Sequence, residues 1–104
     1  MNVIIHPDAS NEAIDAAYRY EQDQEGLGVS FFSEYETVVR CISERSERYP
    51  LLETFPPESG TRRGITKRFP YLVIYEIQTD CCQVLTVAHA ARRPTYWAIR
   101  RRLL

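Results

Sequence analysis

The chain has 104 residues, of which 44% are hydrophobic and 26% charged, which suits one soluble globular domain spanning residues 1–104. It contains neither a secretion leader nor an apolar run of about 20 residues, so we expect a cytoplasmic protein with no membrane partner. The net charge of −1 conceals a division, because residues 1–60 carry 4 Lys and Arg against 12 Asp and Glu, and residues 61–104 carry 9 against 2. The two parts either neutralise each other or leave a basic face for nucleic acid or an acidic protein segment.

The N-terminal half predicts one strand and two helices. A short apolar strand, NVIIH at residues 2–6, ends at Pro7. Asp8 or Ser10 can cap the helix that follows, in which alanines recur at helical spacing. The glycines of EQDQEGLG break that helix, and a second one with a broad apolar stripe is predicted to run to about Arg48. Helices joined by so short a break should form an antiparallel hairpin.

The C-terminal half predicts a sheet. After a proline-rich loop at residues 50–60, the hydrophobic period changes from 3.6 to 2. Three strands follow, at Thr61–Arg68, Tyr71–Gln78 and Cys82–His89, with a turn at Thr79 and Asp80. Tyr71 and Tyr75 share one face of the middle strand and are predicted core residues. Pro94 is placed to begin a terminal helix. The predicted fold is α+β: β-α-α-β-β-β with a C-terminal helix, a helical hairpin packed on a mainly antiparallel sheet.

The three cysteines give no sign of a metal centre or a disulfide. Cys41, Cys81 and Cys82 are an odd number without metal-ligand spacing. Neighbouring strand residues point to opposite faces, so a bond between Cys81 and Cys82 would be strained. We therefore expect reduced thiols, no metal and no cofactor.

Four segments of the chain, in order, resemble the RelE/ParE superfamily of bacterial toxins. They are HPDASNEAIDAAYRYEQDQEGLGVSFFSEYE, RYP, KRFPYLVIYEI and VLTVAHAARRPTYW, so the resemblance extends from about Ile5 to Trp97. It implies the fold described above and the toxin of a type II toxin–antitoxin module, with a cognate antitoxin protein as partner. RelE-like members cut messenger RNA on the ribosome without a metal, whereas ParE-like members inhibit DNA gyrase by binding.

The ribonuclease residues that the resemblance implies are incomplete. A metal-free ribonuclease needs a base, an acid and cations for the charge that develops on phosphate. The candidates are Lys67, Arg68, His89, Arg92 and Tyr96. Two arginines that RelE-like enzymes often carry correspond here to Leu72 and Ala90. This departure favours the ParE-like branch and a gyrase inhibitor. A ribosome-dependent endonuclease and a non-toxic, partner-binding component remain as alternatives.

Several C-terminal residues have two interpretations each. His89 could act as a general base, or it could bond a neighbouring backbone group at a strand end, as is expected for His6. Arg92 could reach a partner, or it could bond an acidic residue of the helical hairpin. Since neighbouring residues on a helix diverge, at most one of Tyr96 and Trp97 faces the core, and Trp97 suits packing better.

The basic residues also predict a surface for the antitoxin. The partner-binding candidates are Arg62, Arg63, Lys67, Arg68, Arg92, Arg93 and Trp97. An acidic, partly disordered segment could fold onto such an edge, with its association rate falling as salt rises. The arginines at 100–102 span nearly a helical turn, so they form a solvated collar or contact the target.

Overall fold

The computed structural model describes residues 1–92 and 95–101, together with the backbone of 102 and 103. Its elements are β1 (Asn2–Ile5), α1 (Pro7–Asp23), α2 (Leu27–Glu44), β2 (Thr61–Ile65), β3 (Tyr71–Ile77) and β4 (Cys81–His89), with 3-10 helices at Pro57–Ser59 and Tyr96–Leu103. The strand order is β1-β4-β3-β2, and only β1 and β4 are parallel. The predicted helical hairpin on a mainly antiparallel sheet is confirmed. Across the described ranges, none of the helices combines the length and the apolar character that crossing a bilayer requires.

The N-terminus of α1 differs from the prediction. The helix begins at Pro7, and His6 is the cap, because its Nδ1 accepts a hydrogen bond from Asp8 N at 3.1 Å. Pro7 suits the first helical position, where its missing N–H costs nothing. The cap predicted at Asp8 or Ser10 is therefore wrong, while the strand-end role expected of His6 is confirmed.

Small residues bring the two helices of the hairpin together. The buried side of α1 is lined by Ala9, Ala13 and Ala16. At the start of α2, a Cβ on Gly28 would lie only 2.2 Å from the carbonyl oxygen of Ala17. Glu21 fixes the turn by accepting hydrogen bonds from the N–H groups of Gly26 and Gly28, and Gly26 has a φ of 86° that favours glycine.

Two elements end earlier than predicted because loop groups bond elsewhere. The second helix stops at Glu44 instead of Arg48, and the Ser46 carbonyl then accepts a hydrogen bond from the Tyr75 hydroxyl at 2.6 Å. The strand β2 stops at Ile65 instead of Arg68. Thr66, the next residue, turns the chain, since its hydroxyl donates to the Phe69 carbonyl and its N–H donates to the Tyr71 carbonyl at the start of β3.

The sheet has an apolar cluster on each face. Tyr71 and Tyr75 are 8% and 0% exposed and pack under the helical hairpin, which confirms the predicted core face of β3. The second cluster, on the opposite face, contains Leu52, Ile74, Leu85 and Trp97. The C-terminal 3-10 helix and the proline-rich loop cover this second face, which makes the C-terminal segment part of the core.

The last strand changes register midway and extends beyond its parallel neighbour. Ile74 pairs with Thr86 and Tyr75 with Val84, so Leu85 is an extra residue that forms a β-bulge. The pairing of β1 with β4 ends at Val84. From Leu85 onward, one edge of β4 therefore has no neighbouring strand.

Candidate functional site

A cleft of about 410 Å³ lies along this uncovered edge, between α1 and the C-terminal segment. It is lined by Glu12, Asp15, Arg19, Tyr71, Val87, Ala88, His89, Arg92 and Tyr96. Three of the five ribonuclease candidates, His89, Arg92 and Tyr96, thus meet in one place. Lys67 and Arg68, on the β2–β3 turn, are not among its lining residues.

Glu12 is the centre of the polar network in this cleft. Its Oε1 accepts hydrogen bonds from Thr86 Oγ1 at 2.7 Å, from Val87 N at 3.2 Å and from an Arg100 nitrogen at 3.0 Å. Its Oε2 accepts from Tyr96 Oη and from the other Arg100 nitrogen, both at 3.2 Å. The carboxylate thereby satisfies an N–H group that a neighbouring strand would otherwise bond.

The Glu12 carboxyl stays ionised. Burial raises its pKa, but the hydrogen bonds from Arg100, Thr86 and Val87 N–H outweigh burial and hold the pKa below its ordinary value. Arg100 is itself only 11% exposed and also donates to the Leu85 carbonyl at 2.8 Å. The bond from an arginine to an acidic residue of the hairpin, considered for Arg92, is made by Arg100 instead.

The sequence analysis did not identify Glu12 or Arg100. The available signal was that Glu12 adjoins Ala9, Ala13 and Ala16, so a carboxylate borders the buried stripe of an amphipathic helix. Such a carboxylate requires a partner, but the helix sequence does not say which cation supplies it.

His89 has the structural role that was weighed against catalysis. Its Nδ1 accepts a hydrogen bond from Ala91 N at 3.0 Å, and its ring meets the Tyr71 ring edge-on with centroids 5.5 Å apart. With Nδ1 accepting, the neutral imidazole carries its proton on Nε2, which makes Nε2 a donor. In this arrangement neither nitrogen has a free lone pair for a general base.

Tyr96 and the charges of the cleft are also poorly suited to phosphate chemistry. The Tyr96 hydroxyl is bonded to Glu12, and the Arg100 guanidinium lies 5.1 Å from the centre of the Tyr96 ring. Among the lining residues, the two cations Arg19 and Arg92 are matched by two acids, Glu12 and Asp15. An adjacent groove of about 290 Å³ on the other side of Arg92 is lined by residues that include the apolar Leu72 and Ala90.

The predicted basic edge at β2 is partly engaged within the protein. Residues 50–52 cover the outer edge of the strand with two backbone hydrogen bonds of 2.8 and 3.1 Å. Arg62 and Arg63 point to opposite faces of the sheet. Arg62 donates to the Tyr49 carbonyl at 2.7 Å, and Arg63 forms an ion pair with the exposed Glu53 at 2.6 Å.

The remaining basic candidates differ in how exposed and how engaged they are. Arg68 forms an ion pair of 2.5 Å with Glu34. Burial raises the pKa of Glu34, but hydrogen bonds from Arg68 outweigh it and keep the pKa below its ordinary value. The side chains of Lys67 and Arg92 are exposed and make no ion pair within the described residues. Arg93, like Pro94, lies outside the described residues.

Trp97 packs in the second core cluster, as the packing interpretation predicts. It is 1% exposed, and its ring contacts Phe55 with centroids 4.9 Å apart. A partner could reach Trp97 only after displacing the C-terminal segment. Of the terminal arginines, Arg101 forms an ion pair with Glu76 and, like Arg100, is held internally, while the Arg102 side chain lies outside the described part of the chain.

Within residues 1–92 and 95–101, no three His, Cys, Asp or Glu side chains are grouped as ligands for a metal ion. The three cysteines are free thiols.

Comparison with known proteins identifies the fold. No protein-family model matches the sequence, and no curated protein matches it significantly. The structure is similar to one described as the chromosomal ParDE TA system from P. aeruginosa, with a TM-score of 0.69 and 14% sequence identity. The match covers 86% of this chain and 95% of that chain. A likeness at this identity concerns the fold, and it confirms the RelE/ParE-like fold that the sequence motifs predict.

Proposed function

We propose that the protein is the toxin of a type II toxin–antitoxin module, that it inhibits DNA gyrase by binding, and that a cognate antitoxin neutralises it. The fold shared with a ParDE TA system and the RelE/ParE-like motifs support the toxin assignment. One observation carries the choice of binding over catalysis: the Glu12 network engages the Tyr96 hydroxyl in the cleft where a ribonuclease of this fold would keep its reactive groups free.

The argument against catalysis rests on how each candidate group is engaged. A ribonuclease base needs a free lone pair, yet His89 Nδ1 is bonded to backbone. The acid needs a transferable proton near the leaving oxygen, yet the Tyr96 hydroxyl is directed to Glu12. The scissile phosphate would approach two carboxylates, Glu12 and Asp15, in addition to the two lining arginines.

A gyrase supercoiling assay with purified protein tests the proposal. Supercoiling should fall in proportion to added protein, or cleaved DNA should accumulate. Tyr96→Phe is the matched variant, because it removes the hydroxyl needed by a ribonuclease and should leave gyrase inhibition intact. Unchanged supercoiling at a several-fold molar excess would contradict gyrase as the target.

A ribosome-dependent endonuclease is the second candidate, and the convergence of His89, Arg92 and Tyr96 in one cleft favours it. Primer extension on a ribosome-bound message would then show cuts in the A site that disappear in Arg92→Ala and in Tyr96→Phe. Normal growth during induced expression without antitoxin would instead indicate a partner-binding component that has no toxicity.

For the antitoxin, we propose an acidic segment steered by the cations that the fold leaves unpaired. In the part of the chain that the structure describes, Lys67 and Arg92 are exposed and make no ion pair, and Arg93 follows Arg92 in sequence. Charge reversal of Lys67 and Arg92 together should slow association at low salt, while dissociation changes little. Arg40→Glu, on the exposed side of α2, is the matched control. Surface-binding kinetics at two ionic strengths measure the association rate. A rate that changes neither with salt nor with the charge reversal would mean that the antitoxin binds elsewhere.

A further inference from the structure

The uncovered edge of β4 carries backbone groups that face the cleft. The hydrogen bond from Ala90 N to Pro70 O, 2.6 Å long, fixes which residues of β4 bond to β3. Since bonding sides alternate along a strand, Ala88 also bonds to β3, and Val87 and His89 direct their N–H and C=O groups to the opposite side. That is the side on which β1 has ended.

Two of these four backbone groups are already occupied. Val87 N donates to Glu12, and the His89 carbonyl accepts from Arg92 N at 3.0 Å. The Val87 carbonyl and the His89 N–H make no hydrogen bond within the described residues. Both residues line the cleft, so these two groups border the space that a ligand would occupy.

The pair of free groups matches one kind of strand addition. In a parallel pair, one residue of the added strand donates to the carbonyl before its neighbour and accepts from the N–H after that neighbour. The Val87 carbonyl and the His89 N–H flank Ala88 in this way. An antiparallel strand would need the N–H and the carbonyl of the same residue, either Val87 or His89. The Val87 N–H and the His89 carbonyl already have partners.

The charges along the cleft set the chemistry of such a strand. A parallel occupant runs toward His89, so its C-terminal end emerges near Arg92 and Arg19, whose guanidinium lies 3.3 Å from the Tyr71 hydroxyl beside His89. At the other end Glu12 is already paired with Arg100. With Glu12 paired, the charged lining residues that remain are Arg19, Arg92 and one acid, Asp15, so the exit of the cleft keeps a net positive charge and favours a carboxylate.

We propose that this cleft binds an extended acidic peptide segment, which adds parallel to β4 through one residue opposite Ala88 and places the carboxylates that follow between Arg19 and Arg92. Backbone hydrogen bonds supply the attachment, and the two arginines supply selectivity for acidic sequences. This interaction does not depend on gyrase inhibition or on toxicity.

A synthetic hexapeptide, acetyl-Thr-Val-Thr-Val-Glu-Glu with a free carboxyl terminus, is a suitable probe. In ¹⁵N-resolved NMR titration of the full-length protein, the His89 amide should shift downfield and exchange more slowly with solvent. An analogue with every peptide nitrogen methylated should bind roughly tenfold more weakly, because it cannot donate to the Val87 carbonyl.

Variants separate the charges from the backbone contacts. Arg92→Ala should weaken binding about fivefold, whereas Arg40→Ala, on the exposed side of α2, should bind as the wild type does. The proposal is overturned if no binding occurs at millimolar peptide, if the methylated analogue binds equally well, or if the peptide saturates without moving the His89 amide. Each of these outcomes can be measured whether or not the protein inhibits gyrase.

Discussion

Replacing Glu12 with alanine should destabilise the protein much more than the loss of an exposed carboxylate. The change leaves Val87 N without its acceptor and leaves Arg100, 11% exposed, with only a longer contact of 3.8 Å to Asp8 as an ion pair. Removing one partner of a buried ion pair costs about 3–5 kcal/mol. Because the Glu12 side chain is 24% exposed, we expect a loss of about 2–4 kcal/mol in the free energy of unfolding.

Urea unfolding with linear extrapolation measures this loss. Asp15→Ala is the matched control, since Asp15 lies exposed in the same cleft and forms no ion pair within the described residues, and it should cost less than about 0.5 kcal/mol. Glu12→Gln keeps an acceptor for Val87 N and should fall between the two. A double-mutant cycle with Arg100→Ala should show a coupling of about 2 kcal/mol.

The same network predicts a pH dependence. Because the folded-state pKa of Glu12 lies below its ordinary value of 4.5, the stabilisation is complete above that value and is lost as pH falls through the folded pKa. The difference in stability between the wild type and Glu12→Gln should therefore shrink below about pH 4. A loss in Glu12→Ala no greater than in Asp15→Ala, or full additivity with Arg100→Ala, would refute this account of the cleft.

Three further changes test the packing. Gly28→Ala should cost about 2–3 kcal/mol in thermal unfolding, because its Cβ would lie 2.2 Å from the rigid Ala17 carbonyl oxygen. Gly64→Ala should cost less, since its Cβ would meet the Val38 side chain at 2.6 Å, and Val38→Ala should recover part of the loss. Tyr75→Phe should cost about 1 kcal/mol by removing a hydrogen bond to a loop carbonyl. Burial raises the pKa of Tyr75 to about 12, so ultraviolet titration should show that this phenol ionises at higher pH than an exposed tyrosine. The stability that the neutral phenol contributes should be lost as pH rises from about 10 toward 12.

Periodicity predicted the elements well and their ends poorly. The nearly continuous apolar run of β3 identifies a central strand, because both of its faces are packed. The ends depend on side-chain-to-backbone bonds that a local pattern does not reveal. His6 takes the capping role expected of Asp8 or Ser10, and the carbonyl of Ser46 is held by Tyr75 after the helix has ended.

The candidate site was predicted in position more than in chemistry. The motif at the end of β4 indicated His89, Arg92 and Tyr96, and the fold brings them together. Their engagement by other groups depends on contacts between distant parts of the chain, which no local spacing reveals. The acidic first part and the basic last part meet in four described ion pairs, Asp8–Arg100, Glu12–Arg100, Glu34–Arg68 and Glu53–Arg63. Much of the charge division is thus neutralised internally.

The pairing of β1 with β4 has a consequence for the order in which the protein folds during synthesis. The meander of β2, β3 and β4 is contiguous, so it closes short loops, whereas β1 must wait for the last strand to be made. Every partner of Glu12 also lies beyond Val84, and the latest of them is Arg100. A nascent chain therefore carries a helical hairpin whose alanine-lined side has no sheet to cover it. The cleft is therefore assembled only after Arg100 has left the ribosome, later than the helical hairpin that forms one of its walls.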